Sequence, residues 1–256
     1  RDYLQSISTV EINNLLKTFQ QFLFSRSLSF EYEHESEGVY NINELVRQSS
    51  IDNYKSHFPF INKTESDEKS IAISLLVDMS GSMFGDSIKE ARKIVVLLAE
   101  SFKKLNINFE VSGFNSYGYL SYPSDIGRTE SIDYYVFKNF QEQDNCLLFL
   151  LENFVGRSNA DGAAMQVAAE RLYQRQEDRK ILFYVCDGLP TGYVSKEAGE
   201  NHMRYIAEQT QKNGMEFYSI GIGINTTNIF GEKISFYIDN KKSISENLGK
   251  LIINKI

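Results

Sequence analysis

Residues 71–77, Ile-Ala-Ile-Ser-Leu-Leu-Val, form an almost unbroken apolar run rich in branched side chains, and it halts at Asp78-Met79-Ser80-Gly81-Ser82. A short run of this kind, bounded by turn residues, reads as a strand buried on both faces, as in a parallel sheet. Asp78, Ser80 and Ser82 then place three small oxygen-bearing side chains at alternate positions just past its carboxyl end. In open α/β sheets that is where ligands bind. One carboxylate and two hydroxyls are hard donors, suited to Mg²⁺, Mn²⁺ or Ca²⁺ and unsuited to Zn²⁺ or copper. The same residue types also make ordinary turns and helix caps. What favours a ligand site is the context: a buried strand before the pattern and an amphipathic helix after it.

That helix is predicted from Ser87-Ile88-Lys89-Glu90, which fits a capping box, and from the apolar stripe Ile88, Ala91, Ile94, Val95, Leu98, Phe102 and Leu105. Residues 107–114 read as a second strand. Residues 115–139, punctuated by Gly, Pro, Ser and Asp around tyrosine-rich segments, read as a hairpin or irregular excursion. Residues 141–154 are expected to be helical. A polar loop, residues 156–162, opens a second strong helix over 163–174. Residues 181–186 form another buried strand, ending at Asp187-Gly188-Leu189-Pro190. A helix over 196–213, a strand over 215–220 and a closing helix over 243–254 complete the alternation. Alternating strands and helices imply βαβ units and a mainly parallel sheet, an α/β fold with helices on both faces. Residues 1–69 stand apart as an N-terminal extension: 1–24 have helical spacing, 25–66 are less periodic, and 62–69 are a polar linker. The main domain, 70–256, begins near residue 70.

Composition removes several function classes. The net charge of -7 and the lack of any Lys/Arg run argue against a nucleic-acid surface. No apolar stretch reaches the roughly 18 residues that a membrane helix needs. Two cysteines, Cys146 and Cys186, are too few for a disulfide framework, and Cys186 lies in an apolar run as a buried reduced thiol. No leader segment is evident, although a chain beginning at Arg1 reads as a fragment or processed form. The expectation is an intracellular, cytoplasmic protein. His34, His57 and His202 have no serine or carboxylate partner in sequence, and neither a G-x-S-x-G elbow nor a P-loop is present.

Three segments therefore offer oxygen ligands from one edge of the predicted sheet: Asp78, Ser80 and Ser82; Ser158, Asn159 and Asp161 at a helix start, where partial positive charge favours anions; and Asp187 directly after a buried strand. The D-x-S-x-S pattern resembles the metal-ion-dependent adhesion site of von Willebrand factor A (VWA) domains, which are Rossmann-like. That resemblance implies that the two serines and a second-loop residue ligate Mg²⁺ (or Ca²⁺ or Mn²⁺) directly. It implies also that Asp78 and Asp187 act through water, and that one position stays open for a partner's carboxylate. Adhesion-type domains carry Thr in the second loop. Here an alignment on Gly156 puts Ser158 in that role, and one on Gly162 puts Asn159 or Asp161 there, with Asp161 favoured as a near ligand.

A narrower likeness follows from Asn159-x-Asp161-Gly162 opening an Ala-rich helix, Glu170-Arg171-Leu172, Arg179-Lys180-Ile181-Leu182, Asp187-Gly188-x-Pro190, Gly221-Ile222-Gly223 with Asn225-Thr226-Thr227, and Ser112-Gly113-Phe114. As a set, over about residues 70–240, these resemble the CobT-type subunit of aerobic cobaltochelatase, whose relatives include phage proteins. In that family the VWA subunit pairs with an AAA+ ATPase, so the resemblance implies a non-catalytic, metal-dependent interaction module. The chain lacks the long acidic region of full-length CobT subunits. The alternatives are an extracellular adhesion domain of the same fold, and a metal-dependent hydrolase using Asp78, where Ser80 replaces the second acidic residue that such chemistry wants.

Overall fold

The computed structural model describes residues 70–141, 156–188 and 190–238, with a few positions before them. In chain order the main elements are β1 (Ile71–Asp78), α1 (Asp86–Lys104), β2 (Asn108–Tyr119), β3 (Glu130–Lys138), α2 (Asp161–Tyr173), β4 (Arg179–Cys186), α3 (Lys196–Lys212), β5 (Glu216–Ile222), α4 (Thr227–Phe230) and β6 (Ser235–Ile238). Six strands form one sheet in the order β3-β2-β1-β4-β5-β6. All neighbours are parallel except the β2–β3 hairpin. The fold is α/β and Rossmann-like, as expected.

Every residue of β1 is buried, and the pleat divides its side chains between two faces. Ala72 and Leu76 join a core with Ala164, Met165, Ala168 and Leu172 of α2 and Met203 and Ile206 of α3. Ile73, Leu75 and Val77, also fully buried, point the other way, toward the face carried by α1. Helices thus cover both faces.

The strand order reverses between β1 and β4, which places a crevice at their carboxyl ends, the usual ligand position in such sheets. Register aligns those ends: Asp78 is paired with Phe114, and Val77 with Val185. Beyond Phe114, β2 leaves β1 behind and continues to Tyr119 paired with β3, with Ser116 also bridged to Ser158 of the second loop. The second strand is therefore longer than its expected end at 114, because its last residues are satisfied by a hairpin partner rather than by burial. Tyr117 and Tyr119, at the far end of β2, are exposed.

Helix α1 starts at Asp86, one residue before the anticipated capping box. Its cap position is Gly85, with φ 97°, and no side chain caps it. The left-handed conformation favours glycine, and Asp86 enters the first turn, where it accepts from Lys89 Nζ at 2.9 Å. Glu90 accepts from Lys93 instead of closing a box. The four-residue α4 and β6 had no sequence expectation, and the helices expected over 141–154 and 243–254 lie outside the described residues apart from residue 141.

The chain divides into two compact units, Leu23–Lys69 and the remainder. Within the first, Phe60–Ile61 pairs antiparallel with His34–Glu35 and with Val39–Tyr40. Asn13, Leu16, Lys17 and Gln20 are helical. No helix among the described residues is long and apolar enough to cross a membrane.

Candidate metal centre

The loop after β1 folds back on its own strand. Ser80 N–H donates to Asp78 Oδ1 at 2.8 Å, and Met79 N–H donates to the Phe114 carbonyl at 2.9 Å. Ser80 Oγ and Ser82 Oγ lie 3.0 Å apart. Ser82 Oγ donates to Asp187 Oδ1 at 2.8 Å, across the point where the strand order reverses. Gly188 keeps this crossing open, since a Cβ there would sit 3.0 Å from Ser82 Oγ. Asp78 and Ser80 are buried, whereas Asp187 is partly exposed and Ser82 exposed. The cluster therefore has a deep end and a solvent-facing mouth.

The second loop approaches the deep end. Gly81 N–H donates to the Arg157 carbonyl at 2.5 Å. Asn159 Nδ2 donates to Asp78 Oδ2 and to Asp161 Oδ1, both at 3.3 Å. Asn159 Oδ1 accepts from Thr191 N–H at 2.9 Å and Thr191 Oγ1 at 2.7 Å. The amide is thereby oriented with its NH₂ between two carboxylates and its oxygen turned to Thr191. Ser158 Oγ lies 2.6 Å from the same Thr191 hydroxyl. Asp161, first residue of α2, accepts from Tyr184 OH and leaves Oδ2 without a partner. Asp78, Ser80, Ser82, Ser158, Asn159, Asp161 and Asp187 thus belong to one connected network.

Two members of that network, Thr191 and Tyr184, had no sequence expectation. Thr191 closes the Asp-Gly-Leu-Pro-Thr stretch, so its spacing from Asp187 was the available signal. Tyr184 alternates with Leu182 and Cys186 in a buried strand and signalled only core.

The electrostatics are those of a crowded anionic pocket. Burial, then the neighbouring Asp161, hold Asp78 well above the usual carboxylate range. Burial pushes Asp161 up to about 6, opposed by hydrogen bonds led by that from Tyr184. Burial, then Asp161, raises the Tyr184 phenol. The salt bridges seen among the described residues, such as Arg171–Glu110 and Arg179–Glu216, lie away from these carboxylates. A hard divalent cation fits this donor set, with its hydroxyls, carboxylates and one unpartnered buried oxygen. Among the described residues no three His, Cys, Asp or Glu side chains alone form a metal-binding group, so such an ion would depend on serine hydroxyls and water.

Around the mouth, Arg157 stacks on Tyr117, its guanidinium carbon 3.8 Å from the ring centre, and its Nη1 lies 3.3 Å from Asp133. Phe84, two residues past Ser82, is 79% exposed. His202 sits away from the network, its Nδ1 2.8 Å from Tyr193 OH, and burial lowers its pKa. It is a packing histidine, pressed on the first turn of α2 where a Cβ on Gly162 would come within 2.5 Å of its ring.

Comparison with known proteins agrees with the architecture. The family model described as "Cobalamin biosynthesis protein CobT VWA domain" matches residues 59–256. The uncharacterized protein YojO of Bacillus subtilis (strain 168) is 24% identical over 199 residues, which are 76% of this chain and 29% of YojO. The chain thus spans under a third of that relative's length. Among solved structures, the PilB minor pilin from Streptococcus sanguinis matches with TM-score 0.52 at 15% identity, over 79% of this chain and 65% of that one. The pilus adhesin SpaC from Lactobacillus rhamnosus GG matches with TM-score 0.50 at 14% identity, over 74% of this chain and 30% of that one. At such identities the two pilus proteins share the fold, and the likeness goes no further.

Proposed function

This chain belongs to the CobT VWA domain family, and from that premise we propose that it is a non-catalytic, metal-dependent protein-interaction module that docks on an AAA+ ATPase in the cytoplasm. The observation that carries the reading is the hydrogen-bonded chain Asp78–Ser80–Ser82–Asp187, which spans the reversal of strand order. Ser80 and Ser82 would hold Mg²⁺, or Ca²⁺ or Mn²⁺ in its place, with Asp78 and Asp187 orienting its waters and the Ser158–Asp161 loop closing the inner side. When bound, the ion supplies a positive charge that draws in a carboxylate from the partner. The protein's own residues do the rest. Asn159 and Thr191 hold the inner loop in register, and Ser82 and Asp187 present the mouth to solvent.

A catalytic role finds little support. Asp78 is fully buried and already takes hydrogen bonds on both oxygens. Cys186 is fully buried, with its thiol pushed up by that burial. The ATPase partner comes from the family resemblance, and the pilus relatives contribute the fold only.

The test is a pull-down from lysate of the source cell with the tagged chain, in Mg²⁺ and in EDTA, alongside Asp78→Ala. The expected result is an AAA+ ATPase, identified by mass spectrometry, that is retained in Mg²⁺ and lost in the other two lanes. Equal retention in all lanes refutes metal dependence. Metal-dependent capture of a protein that is not an ATPase refutes the partner.

A further inference from the structure

Between α2 and α3 lies a groove that the metal centre does not use. It consists of two adjoining cavities, of about 590 and 440 Å³, which share Ile126, His202 and Tyr205. One long wall is α3, from Ala198 at one end to Asn213 at the other, about 22 Å at 1.5 Å per residue. The opposite wall is α2, through Gln166, Ala169, Glu170 and Tyr173. Those four are spaced i, i+3, i+4 and i+7, so they form one stripe along the helix. The floor is apolar, with Ala169, Ile206 and Met215 buried in it, whereas Tyr173, Tyr205 and Ile126 stand exposed around the rim.

The formal charges on the lining are acidic: Asp125 at the smaller cavity and Glu170 at the larger. Glu170 accepts from Gln166 Nε2 at 2.9 Å, a neutral donor that leaves the carboxylate's charge in place. Among the described residues no Lys or Arg lines either cavity. Lys180, 5.6 Å from the centre of the Tyr173 ring, donates to the Tyr173 carbonyl. A small-molecule site encloses most of its ligand, and a groove of this length with exposed rim tyrosines does not. An added strand needs an open sheet edge, and two helices offer none. The shape accepts an amphipathic helix laid along it.

We propose that the α2–α3 groove is a second docking site, for a basic amphipathic helix of a partner protein, and that it works without the metal ion. The apolar stripe of that helix covers Ala169, Ile206 and Met215, and flanking Lys or Arg side chains meet Asp125 and Glu170. Tyr173 and Tyr205 are the anchors, because aromatic side chains that become buried dominate the energetics of interfaces. The site goes beyond the metal-dependent reading above and stands or falls apart from it.

The experiment uses the full chain and a model peptide of about 15 residues, enough to span the groove as a helix. The peptide is built from leucine at helical spacing and lysine elsewhere, and its binding is followed by fluorescence anisotropy in Mg²⁺ and in EDTA. A scrambled peptide of the same composition and a leucine–glutamate peptide of the same pattern serve as comparators. The leucine–lysine helix is expected to bind one to one, equally in both buffers, and at least about 10-fold more tightly than either comparator. Tyr173→Ala and Tyr205→Ala should each weaken it about 10-fold. Glu170→Gln should weaken it about 2- to 5-fold, the worth of an exposed ion pair. Tyr119→Ala, which removes an exposed ring on the β2–β3 hairpin, should change nothing. All four side chains are exposed, so the variants should keep the fold, which circular dichroism checks.

No binding, or equal binding of the scrambled peptide, overturns the proposal. So does a loss from Tyr119→Ala as large as that from Tyr205→Ala. Amide shifts in nuclear magnetic resonance should gather on α2 and α3; shifts gathered at the metal mouth, or binding that vanishes in EDTA, overturn it. A wild type that sediments as a dimer and becomes a monomer on Tyr205→Ala makes a second copy the occupant and overturns it equally.

Discussion

Arg171→Ala should destabilise the domain strongly although it lies outside the metal centre. Glu110 lies in the middle of the sheet on β2 with no solvent exposure. Its two oxygens accept from Arg171 Nε at 2.9 Å and Nη2 at 2.5 Å. Removing one partner of a buried pair costs roughly 3–5 kcal/mol, because the other charge stays behind uncompensated. Arg171 itself is 36% exposed, so water can enter the space that it vacates. That places the expected loss at the low end, about 3 kcal/mol. At roughly 2–4 °C per kcal/mol for a domain of this size, Tm should fall by about 6–12 °C. Urea and thermal unfolding followed by circular dichroism measure it. The double substitution Glu110→Leu with Arg171→Met removes both charges and should cost less than Arg171→Ala alone, since no ion is stranded. A single substitution costing under about 1 kcal/mol, or a double costing more than the single, refutes a pair fixed by desolvation. The consequence reaches the metal centre, because α2 carries Asp161 at one end and Arg171 near the other.

Two further outcomes follow from the carboxylate cluster. In EDTA the folded pKa of Asp161 is raised to about 6 from 3.8, so its contribution to stability is present below about pH 4 and is lost as pH rises through about 6. At 1.36 kcal/mol per unit that is about 3 kcal/mol, with Asp78 acting in the same direction. The stability difference between wild type and Asp161→Asn should therefore shift toward the variant between pH 5 and pH 7.5 in urea titrations, and a difference independent of pH would speak against the shift. Thr191→Val keeps the side-chain shape and deletes the hydroxyl that Asn159 Oδ1 accepts from. It should weaken Mn²⁺ binding about 10-fold with the fold retained, and wild-type affinity by calorimetry would show that the hydroxyl is not needed to orient the amide.

What could be read from the chain alone was whatever local pattern encodes. The buried run into Asp78 announced both a strand and its end, and the reversal of strand order put the following loop in the crevice. Asp187 was legible for the same reason, as the first polar residue after the β4 run. The β2 extension was not, because Gly113, Asn115, Ser116 and Gly118 break any apolar alternation, and its pairing depends on β3. The elements α4 and β6 are each four residues long and carry no period to detect.

The pieces of the family likeness sort by what their side chains touch. Arg171 and Arg179 are committed to Glu110 and Glu216. Gly221 is required because a Cβ would meet the Ile224 carbonyl at 2.2 Å. Asn225 accepts from Thr227 N–H at the start of α4. These residues specify the scaffold. Asn159, Asp161, Asp187 and Thr191 point instead into the crevice network. The likeness was legible as one set because the scaffold pairs hold the strand ends where the crevice residues meet. It could not say which members serve which end, since that depends on contacts such as Tyr184 to Asp161 and Thr191 to Asn159, made across the sheet between residues 23 and 32 positions apart.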